Sequence, residues 1–315
     1  MVHKTKTYEY ASYEEIRDSG QFDTPENCLQ YLLDMKILPT HRMCTSCDVL
    51  MVLGVCPTTK YGDGYCWTCT TCSKTCSVRV GSILESSKVT AREFIDMLGQ
   101  FSYGKNVSVA AQHANVGENT CRRLYNEIQE RIAEDIATRP LIGGPMTVVE
   151  CDEAKFGKSK YDQGRYVEGS WVMGGIQRGT DHCFLVCCPN NCRGEAELVP
   201  IIRQYVRPGT LIVTDMWQGY TNLTDYGYLH EEVNHSRNFV DPVTGAHTNT
   251  IEGTWTHAKN FCLRTGGRRS TESLSRNLTE FMWRKQKGLS RSIDSHRILF
   301  SREFPRLLNY RNYGI

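Results

Sequence analysis

The sequence predicts a mixed α/β fold, with a main sheet in the C-terminal half preceded by a small cysteine-rich segment and a small helical module. Three observations predict it. β-type segments follow a Gly/Pro stretch at residues 140–145, helical periodicity recurs on both sides of them, and residues 41–79 are rich in Thr, Gly and Cys with no stretch long enough for an apolar core.

A length of 315 residues fits about two domains at roughly 150 residues each. The formal charge is only +2, yet residues 255–315 hold 13 Lys and Arg against 4 Asp and Glu, which leaves −7 for the rest of the chain. Positive charge is therefore concentrated where it could meet phosphates. No window near the start has the order of a signal peptide, and no apolar run approaches the roughly 20 residues that span a bilayer, so a soluble intracellular protein with no membrane partner is expected. In a reducing compartment the 15 cysteines point to metal ligation rather than disulfides.

Along the chain, residues 8–38 read as an amphipathic helical segment. Asp23-Thr24-Pro25-Glu26 resembles a cap with a first-turn proline, Cys28, Leu29, Leu32 and Leu33 form an apolar stripe, and Pro39 follows the end. Next come Cys44-x2-Cys47 and Cys69-x2-Cys72 with 21 residues between the pairs, a spacing that can place four thiolates tetrahedrally around Zn2+. Cys66 or Cys76 could replace a member of the second pair; otherwise these two and Cys56 are small buried hydrophobes. A site of four sulfurs has no open position for water, so such a zinc is structural.

Helical signals return at residues 90–101, 107–115 and 118–136, spaced as in a helix-turn-helix. Asn115-Val116-Gly117 is the turn, and Arg122, Arg123 and Asn126 on the third helix are side chains able to reach DNA phosphates or base edges. The alternative is a plain helical linker. After the hinge, strands are expected at 147–156, 169–177 and 182–188, then a helix at 195–205 and a buried crossover strand at 211–213. The order β-β-β-α-β-α-β-α is that of an RNase H-like domain. The chain has no internal repeat and no low-complexity tract.

Three acidic residues carry the candidate chemistry: Asp152 and Asp215 at strand ends, and Glu252 near the start of a later helix. Carboxylates so placed can hold two Mg2+ or Mn2+ ions, the apparatus for in-line attack on a phosphodiester. Glu153 is the rival to Asp152. The expected helix is capped by Thr248 or Asn249, buries Ile251, Trp255, Ala258 and Cys262, and gathers Asn249, Glu252, Thr256 and Lys259 on another face that could meet DNA. His235 and His247 either contact phosphate or the attacking water, or hydrogen-bond the loop before that helix. Arg264, Arg268, Arg269, Arg284, Lys285, Lys287 and Arg291, interleaved with Phe281 and Trp283, have the composition of a phosphate-contacting surface.

The strings Val149-Glu150-Cys151-Asp152-Glu153-Ala154-Lys155-Phe156-Gly157-Lys158, Val233-Asn234-His235-Ser236, Phe239-Val240-Asp241-Pro242 and Thr244-Gly245-Ala246-His247-Thr248-Asn249-Thr250-Ile251-Glu252 resemble Merlin-type DNA transposases. They also resemble the related bacterial insertion-sequence transposases that carry an N-terminal zinc ribbon. The similarity runs from the Cys44 knuckle through Ser77-Val78-Arg79-Val80-Gly81-Ser82 to about Lys285. Cys76 departs from it, standing where the ribbon has an aromatic or aliphatic residue.

The resemblance implies a DDE triad of Asp152, Asp215 and Glu252 and a cut-and-paste DNA transposase: hydrolysis at the element's end exposes a 3′-hydroxyl, which is then joined to target DNA. It implies binding to terminal inverted repeats, at least a homodimer to bring two ends together, and a nuclear location in a eukaryotic host or a cytoplasmic one otherwise. The expected organisation is an N-terminal helical segment at 1–40, a zinc ribbon at 41–87, a helix-turn-helix-like module at 88–140, an RNase H-like catalytic domain at 146–290 and a basic tail at 291–315. The competing functions are a nuclease of the same fold that does not join ends, a transposon-derived DNA-binding protein without catalysis, and a zinc-ribbon adaptor that makes protein contacts alone.

Overall fold

The computed structural model describes residues 11–57, 61–157, 169–233, 247–266, 270–288 and 295–309. They fall into two compact units, Met1–Arg131 with Ile293–Ile315, and Ile132–Ser292. Arg268, Arg269, Arg291 and His235, singled out from the sequence, lie outside the described residues.

The first unit opens with α1 (Tyr13–Asp18) and α2 (Pro25–Asp34). The helical segment expected over residues 8–38 comprises two helices; the chain turns between them at Gly20 with φ 79°, a conformation that a β-carbon would oppose. Thr24 caps α2 by accepting from the Asn27 amide at 3.2 Å, as the Thr-Pro pair suggested. An antiparallel sheet follows, built from β1 (Val52–Val55), β2 (Tyr65–Thr68) and β3 (Thr75–Ser77). Its own apolar core is only Cys44, Met51, Trp67 and Cys69 with a few half-buried neighbours.

Three helices come next: α3 (Ala91–Ser102), α4 (Val107–Ala114) and α5 (Glu118–Ala137). Asn115 ends α4 in the left-handed region at φ 55°, which makes the turn. Residues 295–308, counted within a basic tail, are helical and close this unit. Phe300 packs on Tyr13 and Tyr31 at 5.5 and 6.0 Å between ring centroids, and Phe304 on Phe101 at 5.4 Å. Their apolar stripe outweighs the local charge excess, whose arginines stay at the surface.

The second unit carries β4 (Ile142–Gly143), β5 (Val148–Phe156), β6 (Ser170–Gln177), β7 (Cys183–Cys187), α6 (Glu195–Tyr205), β8 (Val206–Arg207), β9 (Leu211–Asp215), β10 (Leu229–Val233), α7 (Asn249–Thr265) and α8 (Thr271–Gln286). Its main sheet has the order β10-β9-β5-β6-β7. β5, β6 and β7 form an antiparallel meander, whereas β9 and β10 run parallel to β5. Where a helix was expected between β9 and β10 there are two 3₁₀ turns, Gln218–Tyr220 and Leu223–Tyr226. Gly227, at φ 84°, ends the second of them.

One sheet face is covered by α7 and α8, the other by α6. Leu185 takes part in the first, its amide meeting the Met282 sulfur, and Phe184 in the second, stacked on Tyr205. Arg284 and Lys285 were expected at a phosphate-contacting surface, but both are buried. Arg284 pairs with Glu280 at 2.7 Å and Lys285 with Asp181 at 2.9 Å. Phe281 and Trp283 on the same turns are also buried, so this part of α8 faces protein on every side.

Candidate active site

Strand register decides which acids can meet. β5 and β9 pair in parallel through Glu150↔Val213, so Asp152 and Asp215, each two residues further on, come level on neighbouring strands. Side chains alternate along a strand, so both project on the face that carries α7. Asp152 accepts from the Trp255 indole N–H of α7 at 2.9 Å. Asp215 accepts from the Trp217 amide at 3.0 Å. Glu252, exposed in the first turn of α7, is reached by the Thr248 hydroxyl at 3.4 Å.

Asp152 senses the charges of the other two. Burial raises the Asp152 carboxyl, the Trp255 hydrogen bond opposes this, and the charges of Asp215 and Glu252 raise it further. An all-oxygen donor set of this kind suits Mg2+ or Mn2+.

Gly174 lets Trp255 reach Asp152. It is the strand partner of Asp152 on β6, and a β-carbon there would lie 2.5 Å from the Trp255 ring. The buried stripe of α7 holds as expected, with Ile251, Trp255, Ala258 and Cys262 all in the core.

Glu150, not singled out from the sequence, anchors the helix. It is fully buried and accepts from the Thr250 amide at 2.8 Å, the Ile251 amide at 3.0 Å, the Thr250 hydroxyl at 2.9 Å and Arg178 Nε at 2.7 Å. A carboxylate from β5 therefore satisfies first-turn amides of α7 that have no partner within the helix, and it complements the positive end of the helix dipole. Neither Thr248 nor Asn249 provides a side-chain cap to those amides. Arg178 also donates to the His247 carbonyl, and His247 Nδ1 lies 3.3 Å from Glu150, so His247 belongs to this anchor. The available signal was a charge inside the apolar run Val148-Val149-Glu150-Cys151, which must find a partner when buried.

Glu153 points to the opposite face. It is buried, accepts from the Tyr220 hydroxyl and lies 3.3 Å from Arg193. Burial pushes its carboxyl up to about 7, against the Tyr220 hydrogen bond. Alternation along β5 thus separates Glu153 from the face shared by Asp152 and Asp215.

A second cluster lies in the other unit. The sulfurs of Cys44, Cys47, Cys69 and Cys72 lie within 4.8 Å of one another, and no other such group of His, Cys, Asp or Glu occurs among the described residues. Cys66 and Cys76, on β2 and β3, stand outside it. The Cys72 amide donates to Cys69 at 3.5 Å and lowers that thiol to about 6, while hydrogen bonding to its sulfur neighbours, Cys72 first, raises Cys47 to about 12. Four crowded thiols that cannot all ionise together are suited to a cation such as Zn2+, which would complete a sheet with little core of its own.

Arg122 and Arg123 are exposed on α5 and Asn126 half-buried, with Glu118 and Glu127 as the arginines' neighbours one turn away. Asn249 is exposed at the start of α7, and Lys259 lies half-buried over the Phe156 ring at 5.7 Å. No helix among the described residues is long and apolar enough to cross a membrane.

Residues 143–286 match the family model of the ISXO2-like transposase domain, a segment just under half of the chain that contains Asp152, Asp215 and Glu252. An uncharacterized transposase-like protein of Haemophilus influenzae is 33% identical over 72 residues, 23% of this chain and 57% of that relative. The chain thus spans a little over half the length of this curated relative. Residues 143–286 are therefore similar to an insertion-sequence transposase domain, a coarser grouping than the Merlin type that the motifs resemble.

Proposed function

We propose that this protein is a DDE transposase that cuts at the ends of a DNA element and joins them to a target, with Asp152, Asp215 and Glu252 as its catalytic carboxylates. One observation carries the reading: Asp152 and Asp215 come level on neighbouring strands beneath α7, the helix that carries Glu252, within the segment that matches a transposase domain. When bound there, Mg2+ or Mn2+ would activate the attacking oxygen and stabilise the leaving one.

The chain's own part is positional. The Trp255 N–H holds Asp152, the Trp217 amide holds Asp215, and the Glu150 anchor sets the first turn of α7 from which Glu252 projects. Three antiparallel strands followed by two parallel ones, with helices on both faces, support an RNase H-like assignment.

Asn249 and Lys259 extend the same helix toward DNA beside Glu252, and Arg268 and Arg269 follow it in sequence. Arg122, Arg123 and Asn126 on α5, with the zinc-binding sheet, would recognise terminal inverted repeats. Bringing two ends together requires at least a homodimer. Such an enzyme acts in the nucleus of a eukaryotic host and in the cytoplasm of any other.

The test supplies intact and precleaved ends, a target plasmid and Mg2+ to the full chain and to Asp152→Asn, Asp215→Asn and Glu252→Gln. Joined product from the wild type and none from the variants, with DNA binding retained, is expected. Joining that survives Asp215→Asn removes the assigned triad, and cleavage without joining by the wild type makes the protein a nuclease.

A further inference from the structure

We infer that Arg193 is a binding residue for a phosphate of the DNA backbone, held in place by two tryptophans and a carboxylate; this rests on the transposase reading. Arg193 lies in the loop before α6. Its guanidinium carbon is 4.4 Å from the centroid of Trp171 and 3.9 Å from that of Trp217, and Nη1 is 3.3 Å from Glu153. The loop itself is tied down. The Trp217 indole donates to the Arg193 carbonyl at 2.8 Å, and the Trp171 amide donates to Asn191 at 2.7 Å.

Each tie leads back to the candidate catalytic strands. Glu153 follows Asp152, and Trp217 is the residue whose amide holds Asp215. The cation thus stands past the end of β9, on the sheet face of Glu153.

The chemistry points to an oxyanion. Stacking engages the flat faces of a guanidinium and leaves its N–H groups directed outward in the plane. Among the described residues only Nη1 has a hydrogen-bond partner, so Nε and Nη2 remain as donors on a side chain that is 33% exposed. An arginine that served only to neutralise Glu153 could meet it with two N–H groups, the geometry that carboxylates favour. Here a single contact at 3.3 Å orients the fork and leaves the rest of it for a second acceptor. Lys155, whose ammonium lies 5.4 Å from the Trp171 centroid, adds positive charge beside the same platform. A cation already immobilised loses little freedom when it meets a phosphate, which favours both binding and alignment.

The experiment measures binding of the full chain to a duplex of about 30 base pairs as a function of salt. Wild type, Arg193→Gln, Arg193→Lys and Glu153→Gln/Arg193→Gln are compared, with thermal midpoints as the check on folding. The double variant removes both charges together and spares the fold an unpaired buried carboxylate. One lost phosphate contact lowers the slope of log affinity against log salt by about 0.9, so the wild type should lose roughly 3.5-fold more affinity than Arg193→Gln between 50 and 200 mM salt. The double variant should match Arg193→Gln, and Arg193→Lys should keep the wild-type slope.

Unchanged slopes in both Gln variants, with only the midpoint of Arg193→Gln lowered, overturn the inference and leave Arg193 a partner of Glu153. In that event Asp152→Asn keeps the two readings apart: if it abolishes strand cleavage, the transposase reading stands without the Arg193 contact. Cleavage that survives Asp152→Asn removes that reading and this inference with it.

Discussion

Replacing Glu150 tests the anchor that sets the orientation of α7. In Glu150→Ala the Thr250 and Ile251 amides lose their acceptor at 2.8 and 3.0 Å, and Arg178 loses its carboxylate at 2.7 Å. An orphaned buried donor costs about 1–3 kcal/mol, and removing one member of a buried ion pair about 3–5 kcal/mol. Arg178 is 26% exposed and can recover some hydration, so the low end applies, about 3 kcal/mol. For a unit of this size that lowers the thermal midpoint by roughly 6–12 °C. Glu150→Gln keeps an oxygen for the two amides and loses mainly the charge-assisted bond to Arg178, so it should cost about half as much. Tryptophan fluorescence of the full chain during heating reads this, since Trp171, Trp217, Trp255 and Trp283 all lie in the second unit. Because the anchor holds the helix that carries Glu252, Mn2+ affinity should fall about 10-fold or more in Glu150→Ala, the usual size of an outer-shell effect. Midpoints of both variants within about 1 °C of wild type would refute the argument.

Gly174→Ala places a β-carbon where the Trp255 ring sits, and should cost about 1–3 kcal/mol and weaken Mn2+ binding, whereas Trp255→Phe keeps one aromatic ring but loses both buried volume and the hydrogen bond to Asp152; equal stability of Gly174→Ala and wild type would exclude the clash. Burial holds the His230 imidazole below its ordinary value, so as pH falls below about 6.5 the unfolded chain takes up this proton before the folded one and stability is lost. His230→Gln should therefore flatten the decline in thermal midpoint between about pH 7 and pH 5, and an unchanged decline would dismiss it. Chelation of zinc, or Cys69→Ser, should unfold the β1–β3 sheet and expose the buried Trp67, because that sheet has almost no core without a metal; Trp67 emission that stays unshifted would count against a structural ion.

Much of this molecule was legible because local rules govern it. The Thr-Pro start of α2, the left-handed Asn115 between α4 and α5, the span of α6 and the buried stripe of α7 each follow from a cap, a turn residue or a period of 3.6. Where a local rule had a rival, the structure departed from expectation. Gly227 ended one of the turns that replaced a crossover helix, and the basic C-terminal stretch proved to carry an apolar stripe that packs Phe300 and Phe304 into the first unit.

The amino-acid sequence by itself indicated most of the helices and strands, the two cysteine pairs and the identity of the three candidate acids, because spacing along the chain encodes them. Tertiary structure alone decided that Glu150 would anchor a helix 100 residues away, that Glu153 would meet Tyr220, and that Lys285 would be buried against Asp181. It also set Arg193 between two indoles. These are pairings of groups far apart in the chain, and their strength depends on burial and on which strands become neighbours, which no local pattern records.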